Sequence, residues 1–236
     1  MLFRSCVLFD MLHSMRQFDD LTYVHSVNVA LIASILGQWL KFSEKDIRIL
    51  TISGLLHDIG KIMIPNEILT KPGKLTVAEY NIMKQHVNFG YEKVKNQNID
   101  IRIKEACLLH HEKCDGTGYP FGLKSDHIPA VAKIIAIADV YDAMTSARVY
   151  RGALCPFEVI DTMYKDAFTK FEPEYILPFL KNVASSYINN DVRLSDGRIG
   201  KVVLINENAL SLPIVQCEDE FIDLSKTREL TVSAIL

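Results

Sequence analysis

The chain has 236 residues, of which 49% are hydrophobic and 23% charged, enough for one large domain or one domain with a small appendage. A formal net charge of −3 argues against a global basic field for a nucleic-acid polymer. The five cysteines are scattered, odd in number and include no CxxC pair, which argues against a zinc knuckle or a disulfide framework and fits a reducing cytoplasm.

The opening stretch "MLFRSCVLFDML" is broken by Arg4 and Asp10 and has no small-residue cleavage site, so it reads as the first turns of an amphipathic helix rather than a signal peptide. No sensory domain is expected within this sequence ahead of the helical part. Apolar spacing near 3.6 then predicts a helix over 21–39, containing His25. Its most apolar run, 27–40, is shorter than the ~20 residues needed to cross a bilayer, so no membrane span is expected. A second helix, 43–60, opens on Ser43 before an acidic turn and ends on the doublet His57-Asp58 within "GLLHDIGK". Residues 61–75, with two prolines and a glycine, form a structured loop. A long helix over 76–96 starts with a capping box, Thr76 with Glu79, and carries His86. The run 101–112 ends on His110 and His111, and Gly116 and Gly118 stop it.

Adjacent residues on a helix point about 100° apart, so two neighbouring histidines converge on one point only where a helix ends. Asp139 interrupts the apolar helix 128–147, and an acid buried there needs a counter-charge. Helices at 156–169 and 173–187 follow. After about residue 190 the pattern turns to β-prone runs, with Asp196-Gly197 marking a hairpin. The fold class expected is an all-α helical bundle over 1–188 with a small C-terminal all-β module of four or five strands over 190–236.

Each histidine or acid taken singly has an ordinary explanation, as a satisfied core histidine or a surface pair. His25, His57-Asp58, His86, His110-His111 and Asp139 all lie on apolar faces of five different helices, and chance does not account for all of them together. A nitrogen and oxygen donor set with no thiolate disfavours a structural zinc site. It suits iron or manganese, with zinc less favoured, and Asp58 is the natural bridge between two ions.

The order of these residues resembles the HD phosphohydrolase superfamily, and "LLHDIGK", "HHEKCDGTGYP" and "IADVYDAMTSARVYR" resemble its HD-GYP branch in particular, over roughly residues 20–180. The resemblance implies an HD-domain helical fold and hydrolysis of the bacterial second messenger cyclic di-GMP to linear pGpG, in some members on to GMP. It implies two divalent metal ions held by His25, His57, Asp58, His86, His110, His111 and Asp139. Lys61 falls one turn past His57, where it would stabilise phosphate or protonate the leaving group. Arg148 and Arg151 lie three apart and match positions that contact substrate phosphate; Asp142 and Tyr119 match substrate-side positions. The 115–120 loop is linked in the family both to substrate and to partner diguanylate cyclase domains; a homodimer is compatible with the sequence.

One position departs from the pattern of some members. Leu21, four residues before His25, stands where they carry a glutamate that adds a ligand for a third metal, so a dinuclear site is expected unless Asp19 or Asp20 compensates. Cys114 stands in the loop where a larger residue is expected and reads as an inert thiol. The alternatives are an HD hydrolase acting on dNTPs, ppGpp or another cyclic dinucleotide, and a catalytically weak binding module.

Overall fold

The structure is a computed structural model that describes residues 11, 13–17, 19–146, 154–227 and 229–236. The N-terminal stretch read as an amphipathic helix lies largely outside these residues, and Arg148 and Arg151 lie wholly outside them. The fold is mostly helical, with a small C-terminal antiparallel sheet.

Contacts divide the chain into two compact units, residues 1–143 with 169–172, and 144–168 with 173–236. The first unit begins with α1 (Asp20–Trp39), which Asp19 caps by accepting the backbone N–H groups of Leu21 and Thr22. Its 20 residues are long and apolar enough to cross a membrane by length and composition, more than the run 27–40 alone suggests, and a third of that stretch is buried. α2 (Glu44–Leu56) starts at Ser43, whose hydroxyl accepts Asp46 N–H. The two helices close on one another at Gly54, where a Cβ would come within 2.5 Å of the Ala30 Cα. Around that contact Val29, Ala33, Leu36, Leu50 and Leu56 are almost fully buried; each larger side chain contributes about 1.5–3 kcal/mol by leaving water.

A 3₁₀ turn (Ile59–Met63) and the short helix α3 (Asn66–Leu69) occupy the connection expected as a structured loop. The single helix predicted over 76–96 is two: α4 (Val77–Met83) and α5 (His86–Val94). The capping box of Thr76 and Glu79 is present as expected. A side-chain contact lies at the break. The Met83 carbonyl, which a continuous helix would offer to the N–H four residues on, faces His86 Nδ1 at 2.7 Å. α6 (Ile101–Leu109) and α7 (Ala130–Thr145) complete the helices of this unit, α7 buried along Val131, Ile134, Ile135 and Ile137.

In the second unit α8 (Pro156–Asp166) and α9 (Pro173–Ser186) bury Phe157, Ile160, Ile176, Phe179 and Leu180. The sheet has five strands, β1 (Asp191–Leu194), β2 (Ile199–Leu204), β3 (Ile214–Cys217), β4 (Glu220–Asp223) and β5 (Val232–Ile235), in the order β4-β3-β2-β1-β5. The Asp196-Gly197 signal is the β1–β2 hairpin, with Arg193 opposite Ile199 and Gly197 at φ +93°. Secondary structure changes type near residue 190, but α8 packs on β5, so by contacts the two last helices group with the sheet and not with the first unit. The boundary expected at 188–190 follows chain periodicity, whereas the contacts follow where apolar faces meet. Cys107, Cys114, Cys155 and Cys217 are free thiols.

Candidate metal centre

The residues singled out by pattern come from α1, α2, α5, α6 and α7 and meet inside the first unit. His57, Asp58, His86, His110, Asp139 and Asp142 are all buried, from 0% to 8% exposed. Two of the donor groups that could hold a metal ion, Asp58 with His86, His110 and His111, and Asp58 with His25 and His57, have Asp58 in common. A third, His57, His110 and Asp139, links them.

Three histidines stand at or beside helix ends, and each turns one nitrogen to a carbonyl of a last helical turn. His57 Nδ1 lies 2.7 Å from the Gly54 carbonyl of α2, His86 Nδ1 2.7 Å from Met83 of α4, and His110 Nδ1 2.9 Å from Ala106 of α6. Last-turn carbonyls lack intrahelical partners, except that Ala106 also accepts His110 N–H. A carbonyl cannot donate, so Nδ1 carries a proton and Nε2 is the nitrogen turned inward. All three Nε2 atoms face Asp58, at 3.3 Å from His57, 3.4 Å from His86 and 3.9 Å from His110. Burial, then the neighbouring histidines, push His110 well below the ordinary histidine range. Burial lowers His86, and takes His111 down to about 3. Neutral imidazoles with outward N–H groups anchored on carbonyls are what a metal ion requires of its ligands. Two buried atoms, His57 Nε2 and Asp58 Oδ1, have no hydrogen-bond partner. Such orphans are costly, and a cation between them would remove the cost. The donor set fits divalent ions.

His25 is held differently. It lies inside α1, where backbone carbonyls are already used, and both its nitrogens face carboxylates of α7: Nδ1 is 2.6 Å from Asp142 and Nε2 3.0 Å from Asp139. Burial pulls its pKa down, but the bonds to Asp139 and Asp142 outweigh it and raise it to about 9. Asn28, one turn further along α1, donates to the other oxygen of Asp142 at 2.9 Å. Asp142, expected on the substrate side, is thus 4% exposed and orients His25.

Lys61 donates to Asp58 at 2.5 Å. Burial works to raise the Asp58 pKa; Lys61, then His57, hold it well below the carboxylate range. Gly60 between them packs against α5 so closely that a Cβ would sit 1.9 Å from the His86 carbonyl. Of the two candidate third-metal donors near Leu21, Asp19 is occupied capping α1 and Asp20 lies 4.0 Å from Arg16 in an exposed pair. Leu21 itself is exposed.

The loop after the histidine pair is anchored by a residue the sequence reading passed over. Glu112 is 4% exposed and accepts the backbone N–H groups of Phe121, Gly122 and Leu123 at 2.7, 3.2 and 2.9 Å. A glutamate in an apolar run, directly after two histidines, was the available signal, as was Asn28 one turn from His25. The loop places the Tyr119 ring 4.7 Å from that of His111, nearly parallel at 27°. The two glycines act differently: Gly116 adopts φ +83°, whereas Gly118 is needed because a Cβ would meet Lys113 N at 2.4 Å. Cys114 is partly buried, and burial raises its pKa, in keeping with an inert thiol.

Comparison with known proteins comes to the same place. The family described as HD domain matches residues 9–175. The chain is 37% identical over 199 residues to the cyclic di-GMP phosphodiesterase PA4108 of Pseudomonas aeruginosa, covering 84% of this chain and 48% of that one. It is 40% identical over 148 residues to 3'3'-cGAMP-specific phosphodiesterase 1 of Vibrio cholerae, covering 61% and 34%. The chain therefore spans half or less of these relatives' own lengths. Among solved structures, the HD domain of the phosphodiesterase PgpH of L. monocytogenes, in complex with cyclic-di-AMP, superposes with a TM-score of 0.57 at 18% identity, over 75% of this chain and 95% of that one, a likeness of fold. The chain belongs to the HD domain family, with the motif strings of its HD-GYP branch.

Proposed function

We propose that this chain is a metal-dependent phosphodiesterase that hydrolyses cyclic di-GMP to linear pGpG in bacterial signalling, and onward to GMP where the linear product is retained. The observation that carries this reading is the pair of donor groups sharing Asp58, with Lys61 on the same carboxylate. His25, His57, Asp58 and Asp139 would hold one divalent ion, and Asp58, His86, His110 and His111 the other, with iron or manganese best suited to the mixed imidazole and carboxylate set. Two such ions supply charge neutralisation at the phosphoryl oxygens and an activated water.

The remaining work falls to the chain's own residues. Lys61 is half a hydrogen-bond network already, and its ammonium is placed to neutralise a phosphate oxygen or to give a proton to the leaving 3′-oxygen. The buried carbonyl-anchored histidines keep their orientation without substrate. Tyr119, stacked on His111, forms a flat wall on which a base can lie. Arg148 and Arg151 would bind phosphate from the stretch after α7. The 115–120 loop is exposed at Asp115 and Thr117, which leaves it open to a partner cyclase domain. A cytoplasmic site of action follows from the substrate class.

A second substrate within the class is favoured by one finding: the relatives include 3'3'-cGAMP-specific phosphodiesterases, the Vibrio cholerae enzyme among them. One assay tests all of this. Protein purified without oxygen is analysed for metal, then incubated with cyclic di-GMP, 3'3'-cGAMP, cyclic di-AMP and dNTPs, and the products are separated. We expect metal at about two ions per chain and pGpG as the first product. Turnover of dNTPs with none of the cyclic dinucleotides would overturn the proposal.

A further inference from the structure

We infer that Lys84 is a substrate-binding residue, engaging the phosphodiester of the cyclic dinucleotide that is not being cleaved. The inference rests on the proposed function and extends it to a position that no motif singled out. Lys84 lies in the turn between α4 and α5, two residues before His86. The Lys84 ammonium sits 5.3 Å from the centroid of the Tyr80 ring and 6.0 Å from that of Tyr119. Tyr119 in turn stacks on His111. The lysine is therefore half-buried, with its ammonium near two aromatic rings, one of which packs on His111.

Its charge has no acidic partner. Lys61 pairs with Asp58 at 2.5 Å and Lys71 with Glu79 at 2.7 Å, whereas among the described residues Lys84 forms no ion pair and donates to no side chain. Aromatic faces hold a cation in place while leaving its hydrogen-bonding capacity unspent. A cyclic dinucleotide carries two phosphate charges. If one is met at Asp58 and Lys61, where the donor groups converge, the other keeps its charge uncompensated unless a second cation stands nearby. Lys84 is that cation, with the exposed Tyr80 ring beside it.

Such a contact is made equally in ground and transition states, so its loss raises KM and spares kcat. The test uses the full chain loaded with metal. Lys84→Ala, Lys84→Gln and Lys84→Arg are compared with wild type on cyclic di-GMP and on bis(p-nitrophenyl) phosphate, which has a single phosphate. With Lys84→Ala and Lys84→Gln we expect KM for cyclic di-GMP to rise about tenfold, the value of one charge-assisted contact. The loss in kcat/KM on cyclic di-GMP should exceed that on the single-phosphate diester by a similar factor. Lys84→Arg should recover most of the affinity, and bound metal should stay at the wild-type level. Equal losses on both substrates, or no loss on either, overturn the inference while the proposed function stands. A wild-type protein that turns over the single-phosphate diester but no cyclic dinucleotide overturns both.

Discussion

The centre has two halves that solve the same problem in different ways. At one, His57, His86 and His110 are oriented by backbone carbonyls of last helical turns. At the other, His25 is oriented by the carboxylates of Asp139 and Asp142 from another helix. Position along the helix explains the difference. At a helix end, carbonyls without partners are available to fix a tautomer at no cost to the backbone. Five residues into α1 they are not, so orientation has to be imported across a helix interface. Burial holds His86 and His110 toward the neutral form, ready to receive a cation; the carboxylate half carries a proton on His25 that an incoming cation must displace.

Removing ligands from both halves at once has the largest expected effect. His57→Ala with Asp58→Ala takes away a carbonyl-anchored imidazole and the carboxylate common to both donor groups. Hydrolysis should fall by more than the roughly 10–100-fold that loss of an outer partner costs, with at least one metal ion lost. Near-normal activity in the double variant would falsify the metal assignment.

Asp142→Ala separates the halves. If Asp142 acts through His25, metal affinity should drop about 10–100-fold at that half alone, so chelator titration should show one ion leaving early and one retained. A raised KM with both ions retained would return Asp142 to the substrate side, where the resemblance placed it.

Glu112→Gln tests a third kind of anchor, a carboxylate holding backbone N–H groups. An amide has only one acceptor oxygen for three donors, and losing a charged acceptor costs about 1–3 kcal/mol. KM should rise several-fold and the amides of Phe121, Gly122 and Leu123 should exchange faster, with metal content intact. Loss of metal in step with activity would show that the loop and His111 are a single unit.

The smallest effect belongs to Ser43→Ala. It removes the cap at the far end of α2 from His57. Stability should fall by about 1 kcal/mol and Tm by roughly 2–4 °C, read by thermal unfolding. Metal content should not change; if it does, the His57 anchor depends on the whole helix and not on its last turn.

Much of this could be read along the chain. Ligand-type residues on apolar faces stood out because burying His57, Asp58 or Asp139 without compensation is costly. The caps at Ser43 and Thr76 and the hairpin at Asp196-Gly197 are local signals and were legible for that reason. What could not be read depends on distance. Asp142 touches a residue 117 positions away, and nothing near it in sequence says so. The break before His86, where the His86 side chain meets the Met83 carbonyl, leaves no mark on apolar periodicity. The grouping of α8 and α9 with the sheet is likewise set by which surfaces meet and not by which element type comes next.

Gly60 brings these threads to a practical point. Its side chain is a single hydrogen, yet the space where a Cβ would be is filled by the backbone carbonyl of His86. Any replacement has to push that peptide away and so turn the helix that carries His86 from its register. A random search for inactive variants should therefore recover Gly60 substitutions alongside those at His57 and Asp58, and their phenotype should be that of an active-site lesion in a residue with no chemistry of its own.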